Sequence, residues 1–418
     1  MSRMRPSHLY RIARALCAAF LAVALGTLPL ESANKRSQSD QSAIQGPVVT
    51  QIGLQQDSES TSVIVDMSKE VRAQAGVMLD PQRLLLDFAG VRFHAPSLKG
   101  IERNTIIKDL RFGAFMRGQG RIVIDLAQPA HVQDQRFVPL QGGGSRLIIR
   151  LAPITSSAFT ALARLQSDDL ITGNVSEKPT IAHNELPLIV LDPGHGGIDS
   201  GASGPNGELE KTIVLLFAQS LKERLETGGK TRVLMTRSTD VFVPLRDRVR
   251  IARQAKASLF ISLHADALTD EEDVRGASVY VLSERATDER SARLANKENL
   301  ADLAAGIELK DDQDDVADIL FDLARRESRA FSNQFARSLV TTLPKATRMH
   351  KTPLRGAGFR VLKAPDIPSV LLELGYLTSA EEAKMMQNED WRRSTTDSVA
   401  EAVERFVVER ILKDREKP

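Results

Sequence analysis

From Leu188 onward, short apolar runs alternate with amphipathic helical stretches, and this alternation restricts the second half of the chain to an α/β fold. Leu188-Ile189-Val190-Leu191, Thr231 to Arg237, Ser258 to Leu263, Gly276 to Leu282 and Ser369 to Leu374 read as strands. Between them, Glu210 to Thr227 sets Ile213, Leu216, Phe217, Leu221 and Leu225 on one helical face. Leu245 to Ala255 reads as another helix and 394–412 as a closing one. Strands this apolar are buried on both faces, so the sheet is expected to be mostly parallel and flanked by helices. Ligands in such folds gather where strands end.

The first half has another character. In residues 46–153, Thr61 to Met67, Arg83 to Phe88, Gly120 to Leu126 and Arg146 to Leu151 alternate with period two between Gly, Pro and Asp turns. That pattern describes a small all-β, sandwich-like domain. It carries no catalytic set: His94 and His131 stand isolated, which suits a binding or packing unit. Residues 154–186 read as a linker, and 187–413 as the α/β domain. Within the latter, about 283–339 is an insert with a helical pattern over Arg293 to Glu308, an acidic break at Asp311 to Asp315, and a second helix over Val316 to Leu339. A connection between adjacent elements needs far fewer residues, so this excursion is expected to act as a lid or docking device.

Ahead of both domains, Arg3, Arg5, Arg11 and Arg14 precede an apolar run from Ala15 to Leu30. The pattern is that of an export signal over residues 1–33, with an uncleaved anchor as the alternative. The one cysteine, Cys17, lies inside that run, so a processed chain has neither disulfides nor a thiolate metal site. The formal charge of +2, without a dense basic stripe, argues against a nucleic-acid partner. A monomer is the default expectation.

Four residues carry candidate chemistry. His195 stands in the glycine-framed run Leu191-Asp192-Pro193-Gly194-His195-Gly196-Gly197, directly after the first strand. Glu210 opens the following helix, His264 ends the strand Ser258 to Leu263, and Glu373 interrupts the apolar run Leu371-Leu372-Glu373-Leu374. Two histidines and a carboxylate with one open position form a catalytic metal arrangement. The remaining carboxylate can serve as general base, and such a set hydrolyses an amide. Each residue alone has a plainer explanation: a turn cap for His195, a core hydrogen bond for His264, a helix-start charge for Glu210. Glu373 is the hardest to explain so, because a carboxylate among leucines is costly unless paired or functional. The loop Gly201 to Gly207 lacks both dinucleotide spacing and a Gly-Lys-Ser/Thr ending, so phosphate binding there is disfavoured.

Residues 188–413 resemble the zinc-dependent N-acetylmuramoyl-L-alanine amidases of bacterial cell walls. The likeness rests on Leu191 to Ala202, on Asn206-Gly207 through Glu210-Lys211, on Thr236-Arg237 with Asp240, on Phe260 to Ala267, and on Pro368 to Leu377. It implies one Zn2+ held by His195, Glu210 and His264, with Glu373 as catalytic carboxylate. It also implies hydrolysis of the amide joining N-acetylmuramic acid to L-alanine of the peptidoglycan stem peptide. Residues 46–153 are similar to the amidase N-terminal domain of periplasmic, division-type members, which implies targeting to peptidoglycan and the envelope. The stretch Ala295 to Asn299 resembles an inhibitory helix, making Glu298 the expected plug of the metal's open position. The helix from Val316 to Arg329 resembles a docking surface for a LytM-domain activator. Arg355, in Pro353 to Phe359, is the expected contact to an anionic substrate group. Competing readings are a non-catalytic envelope scaffold and a different zinc hydrolase, such as a peptidase or carbohydrate deacetylase.

Overall fold

The computed structural model describes residues 46–57, 60–96, 106–115, 118–166, 186–267, 274–307 and 319–415. The expected export signal and the acidic break at Asp311 to Asp315 lie outside them.

The first part is a two-sheet sandwich, as its alternating sequence requires. One sheet holds β1 (Val48–Gln56), β2 (Thr61–Met67), β5 (Arg92–Phe93), β8 (Ala130–Pro139) and β9 (Ser145–Pro153), in the order β5-β1-β2-β9-β8. The other holds β3 (Gln74–Met78), β4 (Arg83–Ala89), β6 (Ile107–Phe115) and β7 (Gln119–Leu126), in the order β3-β4-β7-β6. Val63, Val65, Leu147 and Ile149 of the first sheet meet Leu84, Leu86, Ile122 and Ile124 of the second, and all are fully buried. Because side chains alternate across a strand, the same residues that build this core send Arg83, Leu85 and Asp87 of β4 to the opposite face. There the register sets Arg83 against Asp125 and Asp87 against Arg121.

The expected linker begins as structure. α1 (Ser156–Gln166) starts where the Thr155 hydroxyl accepts the Ala158 N–H at 3.2 Å, and it buries Phe159 in the sandwich core. A side-chain oxygen at a helix start satisfies one of the donors the helix cannot, which is why the chain turns helical at this point. The stretch from 167 to 185 lies outside the described residues.

The second part is a six-stranded sheet of order β11-β10-β12-β15-β13-β14. Its strands are β10 (Leu188–Pro193), β11 (Arg232–Met235), β12 (Leu259–His264), β13 (Ala277–Leu282), β14 (Met349–Ala357) and β15 (Ser369–Glu373). All neighbours run parallel except β13 and β15, which are antiparallel. On one face, Ile189, Leu191 and Ile261 pack beneath α2 (Glu210–Thr227), α6 (Ile319–Thr342) and α8 (Glu389–Arg415). On the other, Val190, Phe260 and Leu371 meet α3 (Leu245–Gln254) and α4 (Glu289–Asn299). A short α7 (Ala380–Gln387) precedes α8. No helix among the described residues is long and apolar enough to cross a membrane.

Two expectations need correction. Leu216 does not belong to the buried stripe of α2; it is 44% exposed, while Ile213, Val214, Phe217, Ala218, Leu221 and Leu225 face the sheet. The insert's first helix is not continuous to Glu308. It breaks at the exposed Leu300, and α5 (Ala301–Ala304) follows as a separate turn. The next helix, α6, is partly core: Phe335, Ala336 and Leu339 are fully buried against the sheet.

Candidate metal centre

His195, Glu210, His264 and Glu373 come from different elements and converge where β10, β12 and β15 end. The β12–β15 register pairs His264 directly with Glu373, and the Leu374 N–H donates to the His264 carbonyl at 2.9 Å. β10 stops at Pro193, opposite Leu263, and the chain then turns sharply. His195 has φ 58°, a left-handed conformation that few non-glycine residues adopt. Gly194 is required beside it, because a Cβ there would lie 2.4 Å from His264 Cε1. Gly201 is equally confined: a Cβ would fall 2.6 Å from His195 Cδ2 and 2.7 Å from Glu210 Oε2, at φ +66°.

Backbone donors fix Glu210. Its Oε2 accepts the Ala202 N–H at 2.8 Å and its Oε1 accepts the Ala265 N–H at 2.9 Å. At the start of α2 it also lies where a helix favours negative charge. His195 Nδ1 sits 2.8 Å from Asp199 Oδ2, one helical turn's spacing along the chain, which orients the ring and turns Nε2 inward. Nε2 then lies 3.1 Å from Glu210 Oε2, and His264 Nδ1 lies 3.1 Å from Glu210 Oε1.

Glu298 of α4 completes the cluster. Its Oε2 is 3.3 Å from His195 Nε2 and 3.3 Å from His264 Nδ1. His195, His264 and Glu298 offer ligand atoms within 4.8 Å of one another, all buried, and could hold a metal ion. Glu210 touches both imidazoles of that group. His195 Nε2, Glu298 Oε1, Glu373 Oε1 and Asp266 Oδ2 are buried without a hydrogen-bond partner. Acceptor atoms left this way suit a cation, since a buried unsatisfied polar atom costs about 1–3 kcal/mol.

The electrostatics point the same way. Burial pushes Glu373 well above the usual carboxylate range, and Asp266, Glu210 and Glu298 push it further. Glu298 is raised by burial, against the pull of both histidines. Burial alone would lower His195, yet Asp199, Glu210 and Glu298 raise it well above an ordinary histidine. Carboxylates thus crowd a buried pocket and want positive charge.

Several contacts that the sequence did not reveal hold the insert over this pocket. Lys297 pairs with the fully buried Asp266, whose N–H donates to Glu373 Oε2 at 3.2 Å. Lys297 directly precedes Glu298, so its charge was legible but its partner was not. Asn299 donates to the Gly358 carbonyl at 2.9 Å and accepts the Arg360 N–H at 2.7 Å. Arg355, expected at the substrate, is 4% exposed and faces the insert. Its Nη1 donates to Asp288 Oδ2 at 2.7 Å, and Asp288 caps the start of α4 by accepting the Ser291 N–H. His350 lies beside Arg355 at 3.1 Å, away from the metal-ligand group. Trp391 packs against Phe217, with ring centroids 6.1 Å apart.

Comparison with known proteins adds to this geometry. Residues 189–405 match the family model described as N-acetylmuramoyl-L-alanine amidase, and residues 51–151 match the AMIN domain. The N-acetylmuramoyl-L-alanine amidase AmiC of Escherichia coli O6:H1 is 31% identical over 365 residues, 84% of this chain and 87% of its own length. AmiC of Neisseria meningitidis serogroup B is 31% identical over 387 residues, 88% of this chain and 92% of its own. AmiA of Escherichia coli K12 is 35% identical over 271 residues, covering 64% of this chain and 93% of its own.

Proposed function

Since the chain belongs to the N-acetylmuramoyl-L-alanine amidase family and carries an AMIN domain, we propose that it is a zinc-dependent peptidoglycan amidase held inactive at rest by its own insert. The observation that carries this is the meeting of His195, Glu210, His264 and Glu298 in one buried cluster. His195 Nε2 and His264 Nδ1 each stand 3.1 Å from a different oxygen of Glu210 and 3.3 Å from Glu298 Oε2, so the four side chains line one buried pocket in which a zinc would be held. His195, Glu210 and His264 are the resident ligands, and Glu298 fills the position that substrate and water would need.

Bound zinc supplies Lewis acidity toward a carbonyl oxygen and toward water. The chain's own residues do the rest. Asp199 holds the His195 ring in place, and the Ala202 and Ala265 N–H groups hold Glu210. Glu373 is the proton carrier: it takes a proton at its carboxylate from the attacking water and delivers it to the departing amine of L-alanine. Burial and the neighbouring carboxylates raise its proton affinity, which favours taking the proton from water. Withdrawal of Glu298 removes one of the carboxylates that repel it.

We assign residues 46–153 to envelope targeting through peptidoglycan. Residues 1–33 are assigned to export into the periplasm, and the insert of about 283–339 to regulation. A LytM-domain activator is the partner that would dislodge Glu298, coupling hydrolysis to daughter-cell separation. Digestion of purified sacculi by the zinc-loaded protein tests the assignment by mass analysis of what is released. Wild type should release little, Glu298→Ala should release intact stem peptides and leave glycan strands uncut, and Glu373→Ala should release none. Cut peptides, cut glycans, or no release from any form would overturn it.

A further inference from the structure

The outer face of the sandwich's four-stranded sheet is not open. Arg83 of β4 donates to the Leu303 carbonyl, Arg111 Nε of β6 to the Ala304 carbonyl at 2.9 Å, and Arg121 Nη1 of β7 to the Ala305 carbonyl at 3.1 Å. These are consecutive carbonyls at the end of α5, the turn that follows Glu298 by only a few residues. Three guanidinium groups thus converge on one row of carbonyls, of which that of Leu303 also accepts the Gly306 N–H at 2.9 Å.

The guanidinium groups are themselves braced. Arg111 Nη1 meets Asp125 Oδ2 at 2.9 Å, Arg121 holds Asp87 at 2.6 and 2.8 Å, and Arg83 pairs with Asp125. Apolar packing seals the same contact. Leu85 and Val123 of the sandwich cluster with Ala305 of the insert and with Ile198 and Phe242 of the α/β domain. Gly306 ends the turn at φ +74°, and a Cβ there would meet Leu85 Cδ2 at 2.3 Å. β6 also rests on the metal-ligand loop: a Cβ on Gly197 would fall 1.9 Å from the Ala114 carbonyl oxygen. From the other side, Asp302 Oδ1 accepts the Leu245 N–H at 2.9 Å and ties the same turn to α3.

We propose that the sandwich domain is the second half of the lock, its Arg83, Arg111 and Arg121 gripping the end of α5 so that Glu298 stays seated. The α4–α5 segment of the insert is then fixed at its start by Arg355, beside Glu298 by Asp266 and at the end of α5 by another domain. Anything that shifts the sandwich relative to the α/β domain loosens the plug, so targeting and activation act on one contact. This rests on the assignment of Glu298 as the plug, and the two are separable by experiment.

The full-length zinc-loaded protein is compared in four forms: wild type, Glu298→Ala, Arg111→Ala, and Arg121→Met with Asp87→Asn. The paired change removes one arm without leaving a buried carboxylate unpartnered. Amide exchange over 300–307 and peptide release from purified sacculi are read together, with exchange in β2 and β9 reporting whether the sandwich stays folded. Each arginine variant should speed exchange in 300–307 by about tenfold, given the worth of a charged hydrogen bond, and should raise basal release. Unchanged exchange and release in both, with a rise in Glu298→Ala, would overturn the grip and leave the plug standing. Faster exchange without release in any variant would uphold the grip and overturn the plug. If Arg111→Ala loosens β2 and β9, the paired variant decides.

Discussion

Replacing Gly201 by alanine separates the effect of ligand position from that of backbone strain. Gly201 has φ +66°, so any side chain there costs about 1–2 kcal/mol in backbone conformation. Its new Cβ would also stand 2.6 Å from His195 Cδ2 and 2.7 Å from Glu210 Oε2. Carbon atoms are comfortable at about 3.5–4.0 Å, so the imidazole and carboxylate must retreat by roughly 1 Å. A displacement of that size is half of a zinc–ligand bond of about 2.0–2.1 Å. It should weaken zinc by on the order of 10²-fold, equivalent to about 2.7 kcal/mol. Gly207 provides the control: it has φ +87° and nothing within 4 Å of its added Cβ. Gly207→Ala thus bears the strain without the collision. Zinc affinity is measured by competition against a chromophoric chelator, with thermal unfolding of both metal-free variants run alongside. Gly201→Ala should lose about 100-fold while Gly207→Ala stays within about threefold of wild type. Equal losses in both variants, or undisturbed affinity in Gly201→Ala, would refute the reasoning.

Other predictions address the surroundings of the site and the two cores. Asp199→Asn keeps the contact to His195 Nδ1 but removes its charge, and should weaken zinc by about 10–100-fold in the same competition assay. Asp192 is buried among Arg248, Thr236 and Ser262 at 2.9, 2.6 and 2.7 Å, so Asp192→Asn should cost about 3–5 kcal/mol by urea unfolding at pH 7. Burial would raise the Asp192 carboxyl, but Arg248 and the two hydroxyls outweigh it and lower it. Its stabilisation is therefore complete above the unfolded value of about 4 and fades as pH falls through the lower folded value. Wild type should lose more stability than Asp192→Asn over that acidic window, and parallel losses would contradict this. Phe159→Ala should cost about 3–5 kcal/mol in the sandwich, measured by the same unfolding, because its ring is fully buried. No measurable change would mean that α1 is not part of that core.

The four residues that converge at the strand ends were conspicuous in the sequence because of where each sits in the local pattern. His195 is framed by glycines, Glu210 opens a helix, His264 ends a strand, and Glu373 breaks an apolar run. That His264 and Glu373 are paired neighbours was not legible, since register between β12 and β15 depends on contacts across more than 100 residues of chain. Arg83, Arg111 and Arg121 were hidden for a related reason. Arg83 and Arg121 stand on strands among core residues with nothing local to mark a partner, Arg111 lies on a strand the pattern did not reveal, and Arg83's carbonyl partner lies 220 positions away. α1 was missed although Phe159, Leu162 and Ala163 stand at helical spacing, because the polar, aperiodic remainder of 154–186 dominates the reading of that segment as a linker. Leu216 shows the converse, an apolar residue at nearly the right spacing that the helix's rotation leaves outside the stripe. Arg355 was read for its charge, whereas burial and the Asp288 cap give it a role in holding α4.

The claim on which the rest depends is that one zinc sits among His195, Glu210 and His264 with Glu298 in its fourth position. Anomalous diffraction at the zinc edge, from crystals of the zinc-loaded full-length wild-type protein, measures this without reference to activity. One peak should appear within about 2.0–2.2 Å of His195 Nε2, His264 Nδ1 and a carboxylate oxygen from each of Glu210 and Glu298. A peak elsewhere, or a peak on the first three ligands with Glu298 turned away, would contradict it.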